Sequence, residues 1–265
     1  MENKKIAIIG CGNLGLSILN GLLEKKTTDP SNITVTKRNI KPLEYLKETG
    51  VIISNDNVKA IQDSEVIIIA LKPYNVLEVL EELNGCFISD KHILISLATG
   101  ISLSQIQTIV TAPIPIFRAM PNTAADVGMS TTCISTNSKD LVATDVVQHY
   151  FNAFGETIII DEGLMDSATV LGACGIAYVL RFIRAMIQGG IQIGFDAKTA
   201  SDIVTNTVKG AAELLIKRGQ HPEYEIDKVT TPKGCTIAGL NEMEHNGFSS
   251  ALIKGILTSY DEIEK

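Results

Sequence analysis

An α/β domain followed by an all-helical one is the fold class this sequence predicts, and three observations carry it. Short β-branched apolar runs alternate with amphipathic stretches as far as Gly163. Beyond that residue period-two runs stop, and apolar positions recur every three or four residues. Apolar residues make up 45% of the chain while aromatics make up only 5%, with no Trp, so the interior must be filled by Ile, Leu, Val and Ala. That palette suits parallel strands covered on both faces. At 265 residues the chain is long for one compact domain, and two are expected, 1–162 and 163–265.

The elements follow in order. Lys5-Ile6-Ala7-Ile8-Ile9-Gly10 is short, β-branched and closed by glycine, as a strand buried on both faces would be. Leu14, Ile18, Leu22 and Leu23 then mark an amphipathic helix over 14–26 with a charged Glu24-Lys25-Lys26 end. Ile33–Thr36 is the second strand, 41–49 a polar helical stretch, and Val51-Ile52-Ile53 a third strand. Glu65–Leu71 is the strongest strand, and Pro73 opens the next helix at a position where a missing N–H costs nothing. Ile93–Leu97 and Ile114–Phe117 follow, and strands near 129–136 and 155–160 complete the set. The simplest assembly is an open parallel sheet with helices on both faces.

In the second half a helix is expected over 165–193. Another is drawn by Ala200, Ile203, Val204, Thr207, Val208, Ala211, Leu214 and Leu215, with Asp196 as its cap. Gly172, Ala173, Gly175 and the pair Gly189-Gly190 leave room for another helix to approach closely, from the same chain or from a second copy.

Composition excludes several functions. A formal net charge of -7 repels phosphate backbones and anionic lipid at long range, so neither nucleic acid nor a membrane is an expected partner. Cys11, Cys86, Cys133, Cys174 and Cys235 stand singly with no CxxC pair, which suggests no metal site and no disulfide framework. The first apolar run ends at Gly10, too short to span a bilayer or act as a signal sequence, so a cytoplasmic location is expected.

Gly10-Cys11-Gly12-Asn13-Leu14-Gly15 fits GxGxxG where the first strand hands over to a helix. Its glycines allow the tight turn and the approach of a pyrophosphate to amides at a helix N-terminus, the signature of a Rossmann-type dinucleotide site. An NAD site would place an acidic residue at the end of the second strand, to grip a ribose hydroxyl. This chain has Thr36-Lys37-Arg38-Asn39 instead, which suits a 2′-phosphate and favours NADPH over a weaker NADH. Leu71-Lys72-Pro73, Ala98-Thr99-Gly100 and Arg118–Thr123 follow later strands at the same carboxyl edge. There Lys72 is in reach of a phosphate or ribose, and Asn122 is either a nicotinamide contact or a turn former. In Thr230-Thr231-Pro232-Lys233-Gly234-Cys235-Thr236, a turn precedes a helix. The amides of Gly234, Cys235 and Thr236 there form either a carboxylate site or an ordinary helix start.

Taken together, these segments resemble the pyrroline-5-carboxylate reductase family over essentially the whole chain. The most specific are Arg118-Ala119-Met120-Pro121-Asn122-Thr123 and Thr231–Leu240, in that order and at that separation. The resemblance implies reduction of L-1-pyrroline-5-carboxylate to L-proline by NADPH, in homodimers whose helical C-terminal domains interlock, with further assembly in some members. By position, Thr36, Arg38, Asn57, Lys72 and Ala98 match cofactor contacts, while Glu162, Cys235 and Thr236 match residues around the substrate. Thr236 is the implied catalytic contact, its hydroxyl on the ring nitrogen. Asp166 and Tyr178 are assigned packing roles, and His221 and His245 structural ones. A protonated imine is already electrophilic, so the site needs to orient more than to donate protons.

Departures from the family pattern fall in three places: the run Gly172-Ala173-Cys174-Gly175-Ile176-Ala177-Tyr178, Lys233 in place of a glycine, and Gly219 where some members carry a glutamate. They leave open a different cyclic imine carboxylate, or a sensor that binds NADPH without reaction. A β-hydroxyacid dehydrogenase would need a lysine on the first helix of the second domain, where Tyr178, Arg181 and Arg184 stand.

Overall fold

The computed structural model describes residues 3–263, so the outermost residues of both expected domains, 1–2 and 264–265, lie outside it. Among the described residues, eight strands form one sheet: β1 (Ile6–Ile9), β2 (Ile33–Thr36), β3 (Ile52–Ser54), β4 (Val66–Ile69), β5 (Ile93–Ser96), β6 (Ile116–Met120), β7 (Ser130–Thr136) and β8 (Gly155–Ile159). Their order is β3-β2-β1-β4-β5-β6-β7-β8. The chain winds outward from β1 in one direction to β3, then returns to place β4 on the other side of β1. The switch point of the sheet therefore lies between β1 and β4.

The helices of this part are α1 (Asn13–Glu24), α2 (Asn57–Gln62), α3 (Pro73–Leu83), α4 (Leu103–Ile109), α5 (Leu141–Phe151) and α6 (Met165–Ala168). Because side chains alternate across a strand, β1 sends Ile6 and Ile8 into one core with Ile18, Leu22 and Phe151. It sends Ala7 and Ile9 into the opposite core with Val76, Leu80 and Ile106. Both faces are dry, which is why these strands read as continuous apolar runs.

The structure departs from the expected parallel sheet at one pairing: β7 runs antiparallel to β6. A parallel return needs a crossover of a dozen or more residues, and the link from Met120 to Ser130 holds only a short 3-10 turn, Thr123–Val127. β8 is parallel to β7 because α5 supplies the crossover. Two helical expectations are also refined. Residues Lys41–Thr49 form a 3-10 helix, opened by Pro42 and closed by Gly50. The single helix expected over 165–193 is broken into α6, a π-helical turn (Thr169–Cys174) and α7 (Gly175–Gln192).

Chain contacts divide the molecule into two compact units, residues 1–174 with 262–265, and Gly175–Asp261. Met165, Thr169 and Val170 are buried within the first. The second holds α7, α8 (Ala197–Arg218), α9 (Pro222–Val229), α10 (Cys235–His245) and most of α11 (Phe248–Ile263). Asp196 caps α8 as expected, accepting from the amides of Lys198 and Thr199. Gly190 uses its missing side chain inside the chain, since a Cβ there would come 3.1 Å from that of Ala200. Among the described residues of this unit only Ala200 and Val204 are buried, and Leu180, Ile193, Ile216, Ile253 and Leu257 are all more than half exposed. An apolar surface on that scale asks for a cover.

Candidate active site

The turn after β1 is built from its backbone outward. Gly10 sits at φ +88, and a Cβ there would fall 2.3 Å from Leu71 Cδ2, so the loop after β4 closes on the glycine itself. Gly10 and Cys11 donate their amides to the Thr36 carbonyl oxygen at 3.2 and 2.7 Å. The Gly10 amide also lies 3.3 Å from Thr36 Oγ1. The turn is thereby tied to the ends of β2 and β4, its neighbours at the switch point.

Helix starts separate into two groups. Side chains of Asp56, Ser102, Asp140, Asp196 and His221 cap α2, α4, α5, α8 and α9. By contrast α1, α3, α10 and the one-turn α6 begin at Gly12, Lys72, Gly234 and Leu164 with no side-chain cap. At α1 and α10 the first amides have no intrahelical acceptor and the positive end of the helix faces outward, whereas α3 opens on Pro73 and its Asn75 amide donates to the Lys72 carbonyl oxygen. The starts of α1 and α10 are the two whose amides the sequence assigns to ligands. Gly12 has nothing nearer than the Gly10 carbonyl oxygen, 3.9 Å from where a Cβ would be, and Asn13 beside it is exposed while Leu14 is half-buried and Gly15 buried. The donor set fits a pyrophosphate.

At the end of β2, Lys37 is half-buried and Arg38 exposed, and the Lys37 amide donates to the Ser54 carbonyl oxygen at 3.2 Å. Asn57 opens α2 after β3, Lys72 is exposed ahead of Pro73, and Ala98 is buried after β5 with its amide 3.4 Å from Ser96 Oγ. The carboxyl edge of β1 to β6 thus gathers every residue expected to touch the cofactor. Two cations and no carboxylate follow β2, which fits a 2′-phosphate. Burial pushes the Cys11 thiol up to about 11, against the opposing pull of Lys37. The glycine turn is therefore electrically neutral apart from its amides. Among the described residues no group of three or more His, Cys, Asp or Glu is arranged to hold a metal.

Asn122 serves the turn after β6. Its Oδ1 accepts from the Ala124 amide at 3.0 Å, its Nδ2 donates to the Gly172 carbonyl oxygen at 3.2 Å, and its own amide donates to Ser130 Oγ. Glu162 lies in the first unit with its Oε1 2.5 Å from the Leu103 amide and 3.3 Å from Arg118 Nη1. Gly234, Cys235 and Thr236 lie in the helical unit. A Cβ on Gly234 would fall 2.5 Å from Thr231 Oγ1, and Lys233 before it is held at φ +61, where a glycine would be at ease.

Arg118 is a charged residue whose role the sequence alone does not show. It is 4% exposed on β6. The visible signal was a lone cation framed by Ile116-Phe117 and Ala119-Met120.

Residues 162–265 match the family model for pyrroline-5-carboxylate reductase dimerisation, and residues 5–100 match that for NADP oxidoreductase, coenzyme F420-dependent. Pyrroline-5-carboxylate reductase 2 of Dictyostelium discoideum is 42% identical over all of this chain and 93% of its own length. This chain belongs to the pyrroline-5-carboxylate reductase family. Pyrroline-5-carboxylate reductase 1 of the same organism is 44% identical over 97% of this chain, which spans about half (49%) of that longer protein. The pyrroline carboxylate reductase of Plasmodium falciparum, solved with NADP bound, superposes with a TM-score of 0.90 at 25% identity, over 99% of this chain and 98% of that one. The likeness of this reductase-family chain to its relatives thus runs through both units.

Proposed function

We propose that this chain reduces the C=N bond of L-1-pyrroline-5-carboxylate to give L-proline, with NADPH as the hydride donor. The carrying observation is the pair of bare helix starts at α1 and α10, in a chain that a pyrroline-5-carboxylate reductase matches at 42% identity from end to end. NADPH, when bound, supplies the hydride. The amides after Gly12 hold its pyrophosphate, and Lys37 and Arg38 neutralise its 2′-phosphate. Asn57, Lys72 and Ala98 contact its ribose and linking groups, with Leu71 and Pro73 shaping the loop and Asn122 bracing the turn beyond β6. A relative solved with NADP bound supports that assignment.

On the substrate side, the amides of Gly234, Cys235 and Thr236 bind the carboxylate at the bare start of α10, and the Thr236 hydroxyl holds the ring nitrogen. Hydride adds to the imine carbon, the C=N π electrons pass to the protonated nitrogen, and the product leaves as a secondary amine. No strong acid beside that carbon is needed. The working form is a homodimer: the exposed apolar face of α7 to α11 lies within the stretch matched by the dimerisation model. The run Glu162–Gln192 is apolar enough, at mean hydropathy 1.7, to cross a membrane by length and composition. Its place in a dimerisation segment accounts for that surface without a bilayer. Neither nucleic acid nor membrane is a partner in this reading, and the cytoplasm is its setting.

The test is the loss of nicotinamide absorbance with purified protein, pyrroline-5-carboxylate and either cofactor. Rapid oxidation of NADPH with proline as product is expected. No turnover with either cofactor would overturn the assignment.

A further inference from the structure

Arg118, Glu162 and Asp166 form a charged cluster beside the core. Arg118 Nη1 lies 3.3 Å from Glu162 Oε1 and its Nη2 lies 3.7 Å from Asp166 Oδ1. The Arg118 side chain is 5% exposed, and its two carboxylate partners are about one-third exposed. Arg118 Nε and Nη2 and Asp166 Oδ1 are buried with no hydrogen bond of their own. Such a cluster adds little stability, because desolvation offsets most of the attraction between its charges. A buried charge in an otherwise apolar strand calls for another explanation.

What the cluster touches supplies one. Alternation along β6 puts Arg118 on the same face as Ile116, the face packed by Leu103 and Ile106 of α4. The Glu162 oxygen held by Arg118 also accepts from the Leu103 amide at 2.5 Å. Leu103 is the first residue of α4 and directly ends the loop 97–102 that leaves β5. One carboxylate therefore anchors that loop, and Arg118 fixes the carboxylate. A second tie, from Asn122 Nδ2 to the Gly172 carbonyl oxygen, anchors the loop after β6 to the π-helical turn.

Strand order says which end of the cofactor these loops serve. The cations after β2 take the 2′-phosphate and the turn between β1 and β4 takes the pyrophosphate, so a dinucleotide laid across the switch point carries its nicotinamide to β5 and β6. We infer that Arg118 is a positioning residue for hydride transfer. Through Glu162 it holds the 97–102 loop that seats the nicotinamide, while the phosphate contacts that dominate affinity lie elsewhere. This inference rests on the reductase reading above.

The test is Arg118→Lys, which keeps the charge and loses the planar fork. It should lower kcat on the order of 10- to 100-fold, as small misplacements of reacting groups do. It should also raise the deuterium isotope effect with NADPH labelled at the transferred position, and leave NADPH affinity within about threefold. A kcat loss that only follows the folded fraction, with the isotope effect unchanged, would overturn the inference, as would parent-like turnover. Should Arg118→Lys fail to fold, Glu162→Gln keeps an acceptor for the Leu103 amide and drops the ion pair. Positioning then predicts a raised isotope effect with an unchanged KM for pyrroline-5-carboxylate, whereas a raised KM with an unchanged isotope effect makes Glu162 a substrate contact and removes the role of Arg118.

A parent protein that never oxidises NADPH would overturn the reductase reading alone. Hydrogen exchange over 98–103 in the NADPH-bound protein still decides the anchoring: faster exchange in Arg118→Lys upholds it, and equal exchange ends it.

Discussion

Thr36 holds Gly10 twice, through its carbonyl oxygen at 3.2 Å and through its Oγ1 at 3.3 Å. Thr36 is buried at 1% exposure, so the contact of its hydroxyl with the glycine turn is structural before it is anything else. Thr36→Val removes one buried acceptor while preserving shape. A hydrogen bond of this kind is worth about 1 kcal/mol, and a loss of that size in a chain of this length lowers Tm by roughly 2–4 °C. Titration of nicotinamide fluorescence should show weaker NADPH binding in Thr36→Val and recovery in Thr36→Ser. A Val variant with parental affinity would show that the turn holds its shape without the hydroxyl.

Arg38 tests the cofactor's identity. It is exposed, follows β2, and has no carboxylate neighbour in the Thr36-Lys37-Arg38-Asn39 run. Hydrogen bonds from guanidinium to phosphate are charge-assisted, and losing one or two costs about 1.5–3 kcal/mol. Arg38→Ala should therefore weaken NADPH on the order of 10- to 100-fold and leave NADH nearly unchanged. Equal weakening of both cofactors would sink the 2′-phosphate assignment.

The middle of the sheet was legible because β1, β2, β4, β5 and β6 are buried on both faces: Ile6-Ala7-Ile8-Ile9 and Val66-Ile67-Ile68-Ile69 announce themselves by composition alone. Pairing direction was less so. The antiparallel turn at β7 is decided by the length of a connection, and Pro121-Asn122-Thr123 reads equally well as a loop into a parallel strand. The cofactor edge was readable from GxGxxG and the cations after β2, since both are local in sequence. Arg118 was not, because its partners Glu162 and Asp166 lie far along the chain and no local pattern announces an ion pair. The π-helical turn that splits the expected long helix has the same character: nothing in Thr169–Cys174 departs from helical periodicity.

Lys233 and Thr236 separate shape from chemistry in the turn before α10. Lys233 sits at φ +61, a conformation that costs a side-chain-bearing residue about 1–2 kcal/mol. Glycine relieves that strain and gives back roughly 0.5–1 kcal/mol through the freedom of the unfolded chain. Lys233→Gly should therefore leave stability unchanged or raise it by at most about 1.5 kcal/mol, while a raised KM for pyrroline-5-carboxylate would report the lost cation. Thr236→Ala should lower turnover with NADPH affinity nearly unchanged. Loss of NADPH binding in Thr236→Ala would move that hydroxyl out of the substrate's contacts.

Cys11 gives the molecule an alkaline signature. Its thiol is fully buried between Gly10 and Gly12, and burial raises it from 9.0 to about 11. For an acid raised on folding, the native state keeps its proton where the unfolded chain has lost it. The unfolded state then binds fewer protons, so stability falls as pH climbs. The window runs from about pH 9, where the unfolded thiol ionises, to about pH 11, where the folded one does. Across it the full loss approaches 2.7 kcal/mol, at about 1.36 kcal/mol for each of two pKa units. Tyr150 and Cys133 are also pushed up by burial, so the measurement is a difference. Urea unfolding of the parent and of Cys11→Ala should give a gap that narrows steadily from pH 9 to 11, because the variant lacks this ionisation. A constant gap across that range would mean that the Cys11 thiol titrates alike in the folded and unfolded chain.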